Sequence, residues 1–138
     1  MKTMPNTRED VAQVLRDHHL TPTRQRVEIA HALYSSGEHL SADRILALVN
    51  ARSCEASKAT VYNTLSLFVE KKLVHQVIVD PNRVFYDPNS SAHHHLYNLD
   101  TGELTDIDES TFSISGMPQL PPGAIVEAVD VVVRIRSH

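Results

Sequence analysis

A series of helix-start signals, followed by a hairpin pattern, limits what this chain can fold into more than any other feature. A capping hydroxyl precedes each of four segments whose apolar residues recur at helical spacing, at Thr7, Thr21, Ser41 and Ser57. Asp10 completes a capping box with Thr7, and Pro22 suits the first position of a helix capped by Thr21. The sequence therefore predicts four short helices in a row.

A β-hairpin pattern follows the fourth helix directly. Residues 73–79 and 84–86 are rich in apolar and β-branched side chains, and a turn-forming segment at 80–83 separates them. Helices followed by such a hairpin are typical of a winged helix-turn-helix. We expect an α+β protein with an N-terminal winged helix-turn-helix over residues 1–86, followed by a small α/β dimerisation domain over residues 87–138.

The second half of the chain is predicted to form three strands. Strand-like runs at 93–99 and 103–107 flank a turn, and a proline-rich connector precedes a last strand from Ile125 to Ile135. A unit of about 50 residues buries too little surface to be stable alone, so we expect a homodimer. Its two-fold symmetry would place two recognition helices on a pseudo-palindromic site in double-stranded operator DNA.

Charge is distributed unevenly between the two halves. The net charge is −4, but residues 1–80 carry 10 Lys and Arg against 9 Asp and Glu, whereas residues 81–138 carry 3 against 8. DNA affinity would then depend on the placement of a few cations and on doubling the contacts in a dimer. No apolar run is long enough to span a membrane and no signal peptide is evident, so we expect a cytoplasmic protein without a membrane partner.

The fourth predicted helix has a polar face suited to DNA, opposite its apolar positions. Asparagine can bond adenine edges, tyrosine and threonine can touch the thymine methyl, and hydroxyls and N–H groups at a helix start can bind phosphate. The predicted DNA contacts are Ser57, Lys58, Thr60, Tyr62 and Asn63, with Arg24 and Arg26 at the start of the second helix. A merely solvated face is the alternative, and the order of helices and hairpin favours DNA binding.

Three consecutive histidines, His93, His94 and His95, suggest a metal site. On a strand, His93 and His95 point to one face and His94 to the other. Asp87 precedes the run and Asp106 lies on the next predicted strand, which adds carboxylates to a ligand set suited to zinc, manganese or ferrous iron. The alternative is a polar surface segment, but the run lies inside the chain and strand residues flank it.

His39, just before the third predicted helix, is the candidate for one more nitrogen ligand. Its use would tie the DNA-binding half to the dimerisation half, whereas the alternative is a surface residue at a helix start. Because Cys54 is the only cysteine, a metal site within one chain must be built from histidine and carboxylate.

Segments spread over nearly the whole chain match a known pattern. In chain order they are LTPTRQR, EHLSADRI, KATVYNTL, LVHQV, AHHHLYNLDTGELTDI, MPQLPPG and VDVVVRIR. On these segments the chain resembles the ferric uptake regulator superfamily, and most closely its iron response regulator branch. The segment ATVYNTL indicates the superfamily, and the histidine run with the proline-rich segment indicates the branch.

The resemblance implies a regulatory metal site and a haem-binding region. The metal site, holding iron or manganese in the cell or zinc after purification, falls on His39, Asp87, His93, His95 and Asp106. The axial-ligand region for haem falls on His93, His94 and His95. Asn98 and Thr101 stand at the positions of the first two cysteines of the superfamily's paired CxxC zinc site, so no structural zinc held by cysteines is expected. Ala92 and His94 also leave its additional metal site incomplete.

The sequence therefore predicts a dimeric transcription regulator of iron and haem homeostasis, for example a repressor. Haem or a divalent metal would control its binding to operator DNA. The resemblance also implies a haem-synthesis enzyme as a partner. The same ligand spacing matches the peroxide-sensing branch, so a peroxide- or manganese-responsive regulator is one alternative. A metal-dependent hydrolase is another, but the sequence has no HExxH helix and no nucleophile elbow, and we expect no enzymatic activity.

Overall fold

The computed structural model describes residues 5–36, 39–52, 55–88, 94–126 and 128–137. The chain divides into two units, Met1–Ser90 and Ser91–His138. Each unit contains its own three-stranded sheet, and all four α-helices described lie in the first unit. This is the predicted α+β class, with helices preceding a small strand-rich second unit.

The four predicted helices are present in the first unit. They are α1 (Arg8–Asp17), α2 (Arg24–Ser36), α3 (Ala42–Ala51) and α4 (Lys58–Glu70). The caps predicted at Thr7, Ser41 and Ser57 are confirmed, because each side chain accepts a hydrogen bond from the backbone N–H three residues on. Among the described residues, no helix is both long and apolar enough to cross a membrane.

The cap predicted at Thr21 is wrong. Helix α2 begins at Arg24, and the hydroxyl oxygen of Thr23 accepts a hydrogen bond from the Arg26 N–H at 3.3 Å. The Thr21 carbonyl accepts from the Thr23 N–H and from the Arg26 guanidinium, both at 3.0 Å. These bonds close a turn before the helix, so Pro22 lies outside it.

The helices and the first sheet enclose one hydrophobic core. Its side chains come from every helix of the first unit and from the hairpin that follows α4. The fully buried ones include Val11, Leu15, Ile29, Leu33, Ile45, Val49, Val61, Leu65 and Phe68. Val61, Leu65 and Phe68 lie on the predicted inner face of α4, which leaves the opposite face of that helix exposed.

The predicted hairpin forms the wing of the first unit. Strands β2 (His75–Asp80) and β3 (Arg83–Asp87) are antiparallel, with a register shift between Ile78 and Asp80. A strand too short to be predicted, β1 (Leu40–Ser41), adds to β3 with Leu40 opposite Tyr86, so the sheet order is β1-β3-β2. The start of α3 is thereby fixed beside the wing.

The second unit contains a mixed sheet of order β5-β4-β6. Strands β4 (His94–Asn98) and β5 (Leu104–Ile107) form the predicted hairpin, whereas β6 (Val132–Ile135) pairs parallel to β4. The prediction of a strand from Ile125 is wrong. A five-residue β4 offers few backbone groups to a neighbour. Among the described residues from Ile125 onward, only Val132–Ile135 stand in register with β4, and Ile125 is 88% exposed.

The second unit buries few side chains by itself. Among its described residues, only His95, Tyr97 and Leu104 are buried. Large apolar side chains that remain exposed are Leu99, Ile114, Met117, Leu120, Ile125, Val126, Val129 and Ile135. A unit with so small a core is expected to need a partner surface, which supports the homodimer as a proposal.

An ion pair fastens α1 to α2 in the first unit. Arg8 Nε lies 2.6 Å from Glu28 Oε1, Arg8 Nη2 lies 3.2 Å from Glu28 Oε2, and Glu28 is buried. The hydrogen bond from Arg8 holds the pKa of Glu28 below its ordinary value of 4.5, although burial of the carboxyl acts in the opposite direction. The pair therefore favours the ionised carboxylate in the folded state.

We expect this pair to make stability depend on pH in the acid range. A lowered folded pKa gives stabilisation that is complete above the unfolded value and is lost as the pH falls from about 4.5 through the folded pKa. The melting temperature of Glu28→Gln should lie below that of the wild type at pH 7, and the difference should shrink below about pH 4.5. Thermal melts from pH 7 to pH 3 measure this, with the exposed Glu70→Gln as control. A difference that stays constant over this range would contradict the prediction.

Candidate metal centre and DNA-contact surface

A histidine and an aspartate meet at the base of the wing in the first unit. His39 Nε2 lies 3.0 Å from Asp87 Oδ2, and the two side chains are 11% and 8% exposed. The sheet explains this pairing, because Leu40 lies opposite Tyr86 and the next step along the antiparallel strands brings position 39 to position 87. The short strand β1 thus brings His39 to the end of β3.

A second histidine and aspartate meet in the second unit. His95 Nε2 lies 3.4 Å from Asp106 Oδ1, and His95 is fully buried whereas the Asp106 side chain is half exposed. The predicted hairpin is present, and its register places the two residues directly opposite each other on β4 and β5. The fold shields the His95 ring from bulk water, which the sequence did not show.

The atom spacing within each pair matches that of neighbouring ligands on a metal ion. Ligand atoms about 2.1 Å from a metal, with angles of about 90° to 109° between them, lie about 3.0 to 3.4 Å apart. Each pair offers one nitrogen and one oxygen, and a zinc, manganese or ferrous ion needs at least four ligands. The fifth predicted ligand, His93, lies outside the described residues.

His94, which the sequence assigned to a haem-binding region, takes part in a contact of its own. Its Nδ1 accepts a hydrogen bond from the Val131 backbone N–H at 3.1 Å, and its ring meets Phe112 edge-on with centroids 5.2 Å apart. A neutral ring that accepts at Nδ1 carries its proton on Nε2. His94 therefore links β4 to the chain segments that precede β6, and ligation by either nitrogen would alter this arrangement.

The predicted DNA-contact residues of α4 lie around its N-terminal end. Ser57, Lys58, Tyr62 and Asn63 are exposed and Thr60 is partly buried. The Ser57 hydroxyl oxygen accepts from the Thr60 N–H at 3.1 Å, and the same hydroxyl donates to Thr60 Oγ1 at 2.9 Å. Ser57 therefore shapes the helix start, while Lys58, Tyr62 and Asn63 provide the accessible surface.

The predicted arginines at the start of α2 differ in their surroundings. Arg24, the first residue of the helix, is exposed, whereas Arg26 donates to the Thr21 carbonyl and helps to fix the turn before the helix. Gln25 Nε2 donates to the Glu55 carbonyl at 3.2 Å, so the start of α2 lies beside the segment that leads into α4.

A groove that sequence analysis did not find runs between α4, the start of α3 and the wing. Its volume is about 560 Å³, and its lining residues include Asp43, Tyr62, Ser66, Gln76, Arg83 and Tyr86. Burial raises the pKa of the Tyr86 hydroxyl, against the effect of a hydrogen bond with Gln76. No sequence signal identified Asp43, because an acidic residue in the first turn of a helix ordinarily stabilises the helix itself.

Comparison with known proteins agrees with this architecture. The model of the ferric uptake regulator family matches residues 7–115. The Ferric uptake regulation protein of Bacillus subtilis is 34% identical over 94 residues, which cover 65% of this chain and 62% of that protein. The Transcriptional regulator PerR of Clostridium acetobutylicum is 33% identical over 103 residues, covering 75% of each chain. The chain thus spans less than two thirds of the length of the Bacillus protein.

Solved structures show the same fold. The ferric uptake regulator of Pseudomonas aeruginosa, solved with manganese, aligns with a TM-score of 0.71 at 23% identity, covering 92% of this chain and 97% of that one. A peroxide stress regulator of Campylobacter jejuni aligns with a TM-score of 0.62 at 22% identity, covering 93% and 96%. At these identities the likeness concerns the fold alone.

Proposed function

Because the chain belongs to the ferric uptake regulator family, we propose that it is a metal-responsive transcription regulator that binds operator DNA as a homodimer. Members of this family are transcription regulators and not enzymes, which agrees with the expectation that the chain catalyses no reaction. We assign residues 1–86 to DNA binding and residues 87–138 to dimerisation and sensing. The observation that carries the proposal is the presence of one histidine–aspartate pair in each unit, at ligand spacing.

In this proposal His39, Asp87, His95 and Asp106, with the predicted His93, bind one divalent metal ion. The two pairs together provide two imidazole nitrogens and two carboxylate oxygens, a donor set that suits zinc, manganese and ferrous iron. Asp87 is buried, and a divalent cation would offset its charge and that of Asp106. Neither pair alone has enough ligands for such an ion, so a complete site requires both.

The positions of these ligands suggest how metal binding would influence DNA binding. His39 directly precedes β1 and Asp87 ends β3, so both are joined to the base of the wing. His95 lies on β4 and Asp106 lies opposite it on β5, in the sheet of the second unit. A shared metal ion would link the two sheets, and the coupling would favour one spacing of the two recognition helices in a dimer.

A divalent metal is favoured here over haem as the effector. His95 is fully buried, and His94 holds the Val131 N–H through Nδ1, so haem ligation in this region would require a rearrangement of β4. Regulation by haem, the iron response regulator branch and a haem-synthesis enzyme as partner stay predictions of the sequence resemblance. A haem Soret band at stoichiometric loading would support regulation by haem and the iron response regulator branch.

Peroxide sensing is a second candidate, since a relative that matches 75% of this chain is named PerR. The same histidine ligands would bind the metal ion in a metal-responsive and in a peroxide-responsive regulator. Ferrous iron and peroxide would then oxidise His39 or His93, which mass spectrometry detects as added oxygen.

Metal dependence of operator binding tests the proposed function. We expect manganese or ferrous iron to change the affinity of the full chain for its operator about tenfold relative to chelator-treated protein, within the usual range of allosteric coupling. The operator is first selected from a pool of random duplexes, in parallel by metal-loaded and by chelator-treated protein, and affinity is then measured by fluorescence anisotropy at fixed salt.

A mixed-sequence duplex of equal length is the control for sequence preference. If the protein prefers no duplex over the mixed sequence in either metal state, the proposed function is wrong. If preference exists but is the same with metal and with chelator, DNA binding stands and metal regulation is excluded.

A further inference from the structure

Asp43 places a negative charge in the groove between α4 and the wing. Among the described residues that line this groove, only Asp43 and Arg83 are charged. If α4 binds DNA as the sequence predicts, the same groove meets the phosphate backbone, a polyanion. A carboxylate at such a surface weakens binding to every duplex, whatever its sequence, by repelling phosphate.

Asp43 also forms an ion pair with one of the predicted DNA-contact cations. Lys58 Nζ lies 3.8 Å from Asp43 Oδ1, and these side chains are 67% and 72% exposed. The same ammonium group lies 5.9 Å from the centre of the Tyr62 ring, within the range of a cation–π contact. An ion pair this exposed is weak, so a well-placed phosphate or base can replace the carboxylate as the partner of Lys58.

We propose that Asp43 is an affinity-limiting residue that weakens the binding of this surface to DNA of any sequence. On a duplex of arbitrary sequence, Lys58 must leave Asp43 for a phosphate, and the uncompensated carboxylate remains near the backbone. On the operator, base contacts by Tyr62 and Asn63 offset this loss. This inference rests on the proposed function, because it requires α4 to enter DNA.

The low charge of the first half gives this device its effect. Residues 1–80 carry 10 Lys and Arg against 9 Asp and Glu, so removing one carboxylate from the DNA surface changes a large share of the total electrostatic attraction. Without the Asp43 charge, Lys58 could bind phosphate without competition from the Asp43 carboxylate. The gain should be similar for all duplexes, whereas the base contacts of the operator stay unchanged.

The test compares Asp43→Asn with the wild type, both as full-length metal-loaded protein. The probes are the selected operator and a mixed-sequence duplex of the same length, titrated from about 0.05 to 0.3 M KCl. We expect Asp43→Asn to bind the mixed-sequence duplex about threefold more tightly at about 0.1 M salt, with a logarithmic salt slope steeper by about one. Operator affinity should rise by a similar factor, because the lost repulsion of phosphate does not depend on sequence.

Two further variants separate this effect from a simple change in net charge. Glu70→Gln removes the same charge at the far end of α4, about 18 Å along the helix from Lys58, and should change both affinities far less than Asp43→Asn does. Adding Lys58→Gln to Asp43→Asn should return mixed-sequence affinity to about the wild-type value. Melting temperatures show whether Asp43 acts only by stabilising the start of α3.

Equal effects of Asp43→Asn and Glu70→Gln, or an unchanged affinity of Asp43→Asn for the mixed-sequence duplex, would overturn the inference and leave the proposed function intact. A wild-type protein that prefers no duplex would instead overturn the proposed function, and the inference with it.

Discussion

His95→Ala is expected to lower the affinity of the chain for manganese or zinc by at least about a hundredfold. His95 is the fully buried member of the proposed ligand set, and loss of a ligand should exceed the roughly tenfold to hundredfold cost of losing an outer-shell partner. Competition titration against a fluorescent chelator measures the affinity directly. The response of operator binding to metal should disappear in the same variant.

Because a buried histidine also contributes to packing, Asp106→Ala is a second test of the proposed metal centre. Its side chain is half exposed, so the fold should persist while metal affinity falls about tenfold or more. His31→Ala, a histidine on α2 outside both pairs, is the matched control and should bind metal like the wild type. Metal affinities of His95→Ala and Asp106→Ala within about threefold of the wild type would exclude the proposed metal centre.

Removing the side chains of Tyr62 and Asn63 together is expected to weaken operator binding about a hundredfold. Each good base contact contributes about 1 to 3 kcal/mol of discrimination, and both residues lie on the exposed face of α4. Affinity for a mixed-sequence duplex should change far less, because non-specific binding depends on phosphate contacts. Anisotropy titrations with both duplexes measure the two affinities.

Since neither side chain belongs to the core, the Tyr62→Ala/Asn63→Ala variant should keep the wild-type melting temperature within a few degrees. Glu70→Ala, at the other end of the same helix, should bind the operator normally. If the double variant loses affinity for both duplexes equally, α4 contacts only the backbone and another element selects the sequence.

Elements formed by local interactions were predictable from the sequence. Capping residues and helical periodicity act within one or two turns of the chain, which is why α1, α3 and α4 begin where Thr7, Ser41 and Ser57 predicted. The start of α2 was misplaced because Arg26 closes a turn onto Thr21, a competing contact that capping rules omit. The last strand was overestimated because apolar residues at alternating positions do not specify a partner strand.

The candidate sites divide in the same way. Residue types and strand patterns in the sequence identified the histidine run, Asp106 on the next strand of the hairpin and the polar face of α4. For His39 the residues alone favoured a surface position at a helix start, whereas the two-residue strand β1 brings it 3.0 Å from Asp87. Asp43 carried no signal, since its importance comes from the groove formed by α3, α4 and the wing.

The sequence by itself determined the order of helices and strands, their class and most of their starts, because these follow from interactions between residues close along the chain. Only the tertiary structure decided which distant side chains meet and which become buried, as with His39 and Asp87, Arg8 and Glu28, or Lys58 and Asp43. Such contacts depend on strand register and on how helices pack, and one step of register moves a side chain to the opposite face of the sheet.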